Sequence, residues 1–341
     1  MSVPTQEQSK VVLADAAVTH KVEGNQSSPY EHFKSSPVLL ANGEMGQVWY
    51  VTVATKPNPN LDILLDMTID QGAQLNVMGQ GDMRLQTWGH NFGVKIFYLN
   101  DFFTHPPSTY KPTDIVIFSD AYDVFILATL AKAVRRFHRH DTDVLFSAER
   151  YCHPDPLRAK CYPGHPGSYP YLCSGVFMGY GDALARLMRK HAFEIACDDQ
   201  RYWTTVYLEN YGAPGAIRKR LVHLDSEATV FLNASGRCDD IYIEHNPFGN
   251  YGKVRNRRTE NSPCFIHFNG TAVHIAPFLL VYRENTGNAH PYVKTLKRRT
   301  RLLYMFAFIL TVCLLLFVVH VLRRNINAQS AQSASKSIAK P

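Results

Sequence analysis

The stretch Ile115-Val-Ile-Phe-Ser-Asp-Ala-Tyr-Asp123 runs four hydrophobic residues into a pair of acids. A buried strand of this kind carries Asp120 and Asp123 to its carboxyl end, where an open α/β sheet places its ligands. Hard oxygen ligands at a strand end suit Mg²⁺ or Mn²⁺ holding a diphosphate. The same residues also fit a plainer role, one Asp capping the next helix and the other in its first turn. The segment alone leaves both open.

The surrounding chain alternates strand and helix signals. Residues 48–54 are rich in β-branched and aromatic side chains and predict a strand. Leu61, Leu64, Leu65 and Thr68 then recur at helical spacing. Further strands are predicted over 74–78, 114–119 and 143–148, with a helix over 127–137. This pattern predicts an α/β fold with a mostly parallel sheet and helices on its faces. A Pro-rich loop over 152–170 interrupts it. Beyond the loop come a strand over 175–180, helices over 182–191 and 198–209, and short strands over 221–224, 229–232 and 264–268. The expected organisation is a flexible lead over 1–46, one domain over 47–285, a basic stalk over 286–301 and a short tail over 323–341.

The net charge of +7 resembles a nucleic-acid signal but belongs to the C-terminal end. Nine Lys and Arg residues follow position 293 and no acid follows Glu284, so residues 1–293 carry about −2. A nucleic-acid partner is therefore not expected. Between the basic clusters, residues 302–322 form a 21-residue apolar run without a fixed charge. As a helix it would be about 31 Å long, the thickness of a bilayer's hydrocarbon core. The expectation is a transmembrane helix and a single-pass membrane protein of the endoplasmic reticulum or Golgi. The polar N-terminus shows no signal-peptide pattern. No CxxC spacing points to structural zinc, and three Asn-X-Ser/Thr sequons, at Asn25, Asn233 and Asn269, are close to the number expected by chance.

Several polar groups fall just beyond predicted strands. Thr55 follows the first, where a short hydroxyl could meet a nucleotide. Asp198 and Asp199 open a helix, a position the macrodipole favours for any acid. There they could also bind or deprotonate an acceptor hydroxyl. His267 lies in an apolar strand, where a lone His is usually a hydrogen-bonded core residue. Joined to Asp120 and Asp123, it would complete a two-carboxylate, one-imidazole set suited to Mn²⁺. Asn269 and Gly270 follow it, and the glycine could let backbone amides approach a phosphate. The chain has no Walker P-loop, GxGxxG after a strand, HExxH or GxSxG, which removes the commonest NTPase, dehydrogenase, zincin and α/β-hydrolase readings.

Eight short segments, in order, resemble the glycosyltransferase domain of the collagen lysyl hydroxylases and the related procollagen galactosyltransferases. They are Val51-Thr-Val-Ala-Thr55, Gly93-Val-Lys-Ile-Phe97, Ile117-Phe-Ser-Asp-Ala-Tyr-Asp123, Leu145-Phe-Ser-Ala-Glu149, Tyr171-Leu-Cys-Ser-Gly175, Asp198-Asp-Gln-Arg-Tyr-Trp-Thr204, Leu224-Asp-Ser-Glu-Ala-Thr-Val-Phe-Leu-Asn233 and His267-Phe-Asn-Gly270. The resemblance implies a GT-A-like sheet and a transferase using UDP-galactose or UDP-glucose with Mn²⁺ or Mg²⁺. It implies metal ligation by Asp120, Asp123 and His267, and donor contacts at Thr55, Lys95, Asn269 and Gly270. It places Asp198 and Asp199 on the acceptor side, with Glu149 a second candidate for the base. One departure is the absence of a Lys in His267-Phe-Asn-Gly-Thr-Ala-Val, where the family could neutralise phosphate. That departure motivates the alternative of a non-catalytic, membrane-tethered module binding a nucleotide, a glycan or a protein.

Overall fold

The strand that ends in Asp120 lies at the centre of a seven-stranded sheet. The computed structural model describes residues 27–40, 43–82, 91–164, 167–234, 238–244, 253–270, 272–284, 305 and 308–315. In chain order its elements are β1 (Ser36–Leu39), β2 (Met45–Val53), α1 (Pro59–Asp70), β3 (Leu75–Met78), α2 (Gly93–Thr104), β4 (Ile115–Asp120), β5 (Val124–Ile126), α3 (Leu130–Phe137), β6 (Thr142–Glu149), β7 (Tyr171–Tyr180), α4 (Gly181–Lys190), α5 (Asp199–Asn210), β8 (Arg220–Leu224), β9 (Phe231–Asn233), β10 (Ile241–Glu244), β11 (Lys253–Asn256), β12 (Phe265–His267) and α6 (Ile275–Glu284).

The main sheet runs β1-β2-β4-β7-β6-β8, with β3 also on β2. β1 pairs with the first half of β2 and β3 with the second half. Strands β2, β3, β4, β6 and β8 point one way, and β1 and β7 run against them. The sheet is thus mixed, with its parallel majority broken in the middle by β7. Continuous burial along β4, β6 and β7 fits a sheet covered on both faces. Phe118, Phe146 and Phe177 meet there beside Trp203 of α5. A second sheet, β5-β12-β9, stands beside the first, and β10 and β11 form a separate hairpin.

Local chemistry sets the helix starts. Asn58 accepts from the Asn60 N–H with Pro59 in the first turn, so α1 begins there. Thr129 accepts from Lys132 N–H and starts α3, whose Leu130, Ala133, Val134 and Phe137 are buried. The helix expected over 127–137 begins three residues late, because Leu127 N–H still bonds the Cys264 carbonyl beyond β5 and Thr129 caps the start. This also removes the helix-capping role for Asp120 and Asp123, since a strand follows them. Strand β7 begins at Tyr171, four residues before the expected start at 175. β1 falls inside the segment expected as a lead, held by its ladder with β2.

The membrane expectation is corrected. Among the described residues no helix is long and apolar enough to cross a membrane, so the single-pass membrane localisation is not retained. Of 302–322 only Met305 and residues 308–315 are described, all helical. That run rises about 12 Å against the roughly 30 Å a span requires. The remaining positions of that segment lie outside the described residues, as do the stalk over 286–301 and the tail.

Candidate active site

Asp120 closes β4 opposite Val53 of β2. The chain then turns through Asp123 into β5, which pairs antiparallel with β12 so that His267 lies opposite Val124. This register sets the imidazole beside both acids. His267 Nε2 is 3.4 Å from Asp123 Oδ2 and 4.0 Å from Asp120 Oδ2. One ligand atom from each of the three residues falls within 4.8 Å of the others. The turn is tied to the end of β2. The Tyr122 hydroxyl accepts from the Lys56 N–H at 3.2 Å and donates to the Lys56 carbonyl at 3.0 Å. Asn60 Nδ2 donates to the Tyr122 carbonyl at 2.8 Å. Thr55 is buried next to this clasp.

A second group of charges comes from α2 and α5. Lys95 Nζ lies 2.8 Å from Asp120 Oδ1 and 2.6 Å from Asp199 Oδ2. The contact depends on the start of α2, where the Gly93 N–H donates to the Cys197 carbonyl at 2.9 Å. A Cβ at Gly93 would collide with the Glu194 carbonyl, so only glycine allows this approach. Asp199 also accepts from Ser174 Oγ at 3.1 Å. Gln200 Oε1 accepts from the Ser174 N–H and Gln200 Nε2 donates to the Leu172 carbonyl, docking α5 on β7. Asp198 is the α5 cap, accepting from Arg201 N–H at 2.8 Å. No hydrogen bond joins its side chain to Lys95, so the two acids have different surroundings.

These groups perturb one another. Burial pushes the Asp120 carboxyl up to about 6; Lys95 pulls it back, and Asp123 and Asp199 push it further. Burial alone would lower Lys95, but Asp120 and Asp199 hold the ammonium well above its usual range. Burial also opposes charge on His267, and the Asp123 carboxylate beside it overcomes that effect, so the ring is held well above 6.5. Three carboxylates thus surround one ammonium and one imidazole. Crowded carboxylates beside an imidazole are a hard-to-borderline donor set, and the residues fit a divalent ion such as Mn²⁺ or Mg²⁺.

The segment after β12 closes one side. Asn269 Nδ2 donates to Glu149 Oε2 at 2.9 Å. Burial raises the Glu149 carboxyl to about 8, against the pull of His267 and Asn269. Gly270 has φ +92°, in the left-handed region where glycine is at ease. The structure therefore brings together Asp120, Asp123, His267, Lys95 and Asp199, with Glu149 and Asn269 beside them.

Other residues at this site lie in family-like segments of the sequence without an assigned role. Asn233 Oδ1 lies 2.8 Å from His267 Nδ1, and Cys173 Sγ lies 3.4 Å from the same nitrogen. A Cβ at Gly175 would collide with the His267 ring, so this glycine makes room for the ring against β7. A glycine inside a strand pattern signals such a close approach. Asn233 ends a family-like segment and begins a sequon, neither of which assigns it a role beside His267.

A profile of the PLOD GT domain matches residues 44–286. A multifunctional procollagen lysine hydroxylase and glycosyltransferase of Caenorhabditis elegans is 31% identical over 266 residues, covering 74% of this chain and 35% of that protein. A procollagen-lysine,2-oxoglutarate 5-dioxygenase of Drosophila melanogaster is 33% identical over 166 residues, covering 48% of this chain and 22% of its own length. The matches thus span about a third or less of these curated relatives. Among solved structures, a galactosyltransferase, LgtC, in complex with donor and acceptor sugar analogs shares 14% identity at a TM-score of 0.35, covering 65% of this chain and 87% of that one. That likeness is too slight to carry weight. With the matched residues covering well over half of its length, the chain belongs to the family of the PLOD GT domain, a glycosyltransferase family.

Proposed function

We propose that this chain is a metal-dependent glycosyltransferase that moves galactose or glucose from a UDP-sugar to an acceptor hydroxyl on a protein or glycan. The observation that carries the reading is the convergence of Asp120, Asp123 and His267 within 4.8 Å, from the end of β4 in the main sheet, the turn before β5, and the end of β12, the central strand of the small sheet. These three residues would hold Mn²⁺ or Mg²⁺. Such an ion, when bound, stabilises the negative charge that develops on a departing diphosphate.

The chain's own residues do the rest. Lys95 neutralises Asp120 and Asp199 together and keeps the two carboxylates facing one another. Ser174 and Lys95 fix Asp199, which orients the acceptor hydroxyl and takes its proton. Asp198 caps α5 and so aims its neighbour. Thr55, Asn269 and Gly270 line the donor side. Glu149, kept protonated by burial, suits a hydrogen-bonding role better than a base at neutral pH.

The test is UDP release by the whole purified chain across a panel of UDP-sugars, with Mn²⁺ and with EDTA. Release from one donor that EDTA abolishes supports the reading and names the sugar. Equal release with EDTA overturns the metal requirement. A folded chain that binds UDP and releases none with any donor or acceptor favours a binding module instead. The missing Lys after Gly270 is the feature that would then matter.

A further inference from the structure

His267 has two ring nitrogens, and a ligand role needs the correct one free. Asn233 ends β9, which pairs parallel with β12 so that Asn233 stands opposite His267. Its side chain is 1% exposed and spans two partners. Asn233 Nδ2 donates to the Ala148 carbonyl of β6 at 2.7 Å. A backbone carbonyl can only accept, so the amide NH₂ end is fixed on that side. Asn233 Oδ1 must then face His267 Nδ1, 2.8 Å away.

An amide oxygen also only accepts, so the hydrogen in that bond must sit on Nδ1. When a cation displaces the Nε2 proton of the ring, the hydrogen held by Asn233 stays on Nδ1 and the lone pair lies on Nε2. Nε2 is the nitrogen that faces Asp123 at 3.4 Å and Asp120 at 4.0 Å. Cys173 Sγ lies on the same side at 3.4 Å and is the weaker partner.

We propose that Asn233 is a positioning residue that sets the His267 tautomer and presents Nε2 to a divalent cation. A carbonyl of the main sheet, Ala148, thereby dictates the orientation of a ligand in the small sheet. The inference rests on the metal reading given above. Outer partners of this kind typically change metal affinity 10–100-fold when removed.

The test measures Mn²⁺ affinity by calorimetry on the whole chain, as wild type, Asn233→Ala and Asn233→Leu, with His267→Ala as a control. Circular dichroism and the Tm of each ion-free variant establish that it is folded. We expect a folded Asn233 variant to bind Mn²⁺ about 10–100-fold more weakly. Wild-type affinity in a folded Asn233 variant, with binding lost in His267→Ala, overturns the positioning role and leaves the metal site standing. Wild-type affinity in His267→Ala overturns the metal assignment and this inference with it. Should neither Asn233 variant fold, ¹⁵N NMR of the Mg²⁺-loaded wild type decides. A hydrogen on Nδ1 and none on Nε2 is expected, and the reverse tautomer overturns the proposal.

Discussion

His267 Nε2 lies 3.4 Å from Asp123 Oδ2, although 144 positions separate the two residues in the chain, because β12 pairs with β5. Replacing His267 or Asp120 with Ala removes a proposed metal ligand, and the Tm of each variant shows whether the fold survives the change. Sugar transfer is expected to fall by about 10²-fold or more, as loss of several kcal/mol of charge stabilisation requires. Near-normal turnover in both folded variants would remove the metal assignment.

Gly175→Ala adds a methyl where the His267 ring sits. Overpacking of this kind costs about 1–3 kcal/mol. The ring must also move from its place beside Asp123. Both a lower Tm and weaker Mn²⁺ binding are expected, and a change in neither would mean that the ring has space to spare.

Lys95→Met leaves Asp120 and Asp199 without their shared ammonium. Stranding buried charges costs about 3–5 kcal/mol. Mn²⁺ should then raise the Tm of this variant more than that of wild type, since the cation replaces the lost charge. Differential scanning calorimetry with and without Mn²⁺ checks this; an equal rise in both would argue that Lys95 and the ion act at separate places.

Glu149 has a folded-state pKa of about 8 against 4.5 in the open chain. Between these values the folded state binds more protons than the unfolded state. Its contribution therefore declines as pH rises from about 4.5 to 8, with a slope approaching about 1.4 kcal/mol per pH unit. Glu149→Gln carries no such proton and should match wild type near pH 4.5 but exceed its Tm at pH 8.5. Parallel pH profiles for the two proteins would refute the raised pKa.

Asn233 begins an Asn-Ala-Ser sequon, yet its Nδ2 is buried and engaged by Ala148. A glycan attached there would replace that bond and could not fit within the core. Peptide mapping of folded protein from a glycosylating host should find Asn233 unmodified. Occupancy in the folded fraction would contradict the buried amide.

Much of the fold was legible because its signals are local. The apolar run ending at Asp120, the capping side chain of Asp198 and the strand–helix alternation each lie within a few residues. The acids of Ile115-Val-Ile-Phe-Ser-Asp-Ala-Tyr-Asp123 and the neighbourhood of His267 were readable, the latter with the help of a family resemblance. Helix α2 was not assigned, since its apolar residues form no narrow stripe and no side chain caps its start. The run over 302–322 shows the opposite failure, where apolar length predicted a span that no described helix provides.

The sequence by itself determined which side chains exist, where strands end, and that two acids leave one strand together. Tertiary structure alone decided that β7 runs against its neighbours, that Gly93 lets α2 bring Lys95 between Asp120 and Asp199, and that Asn233 faces His267. The reason is physical. Backbone preference and burial act over a few residues, whereas strand register and close backbone contact join residues far apart in the chain.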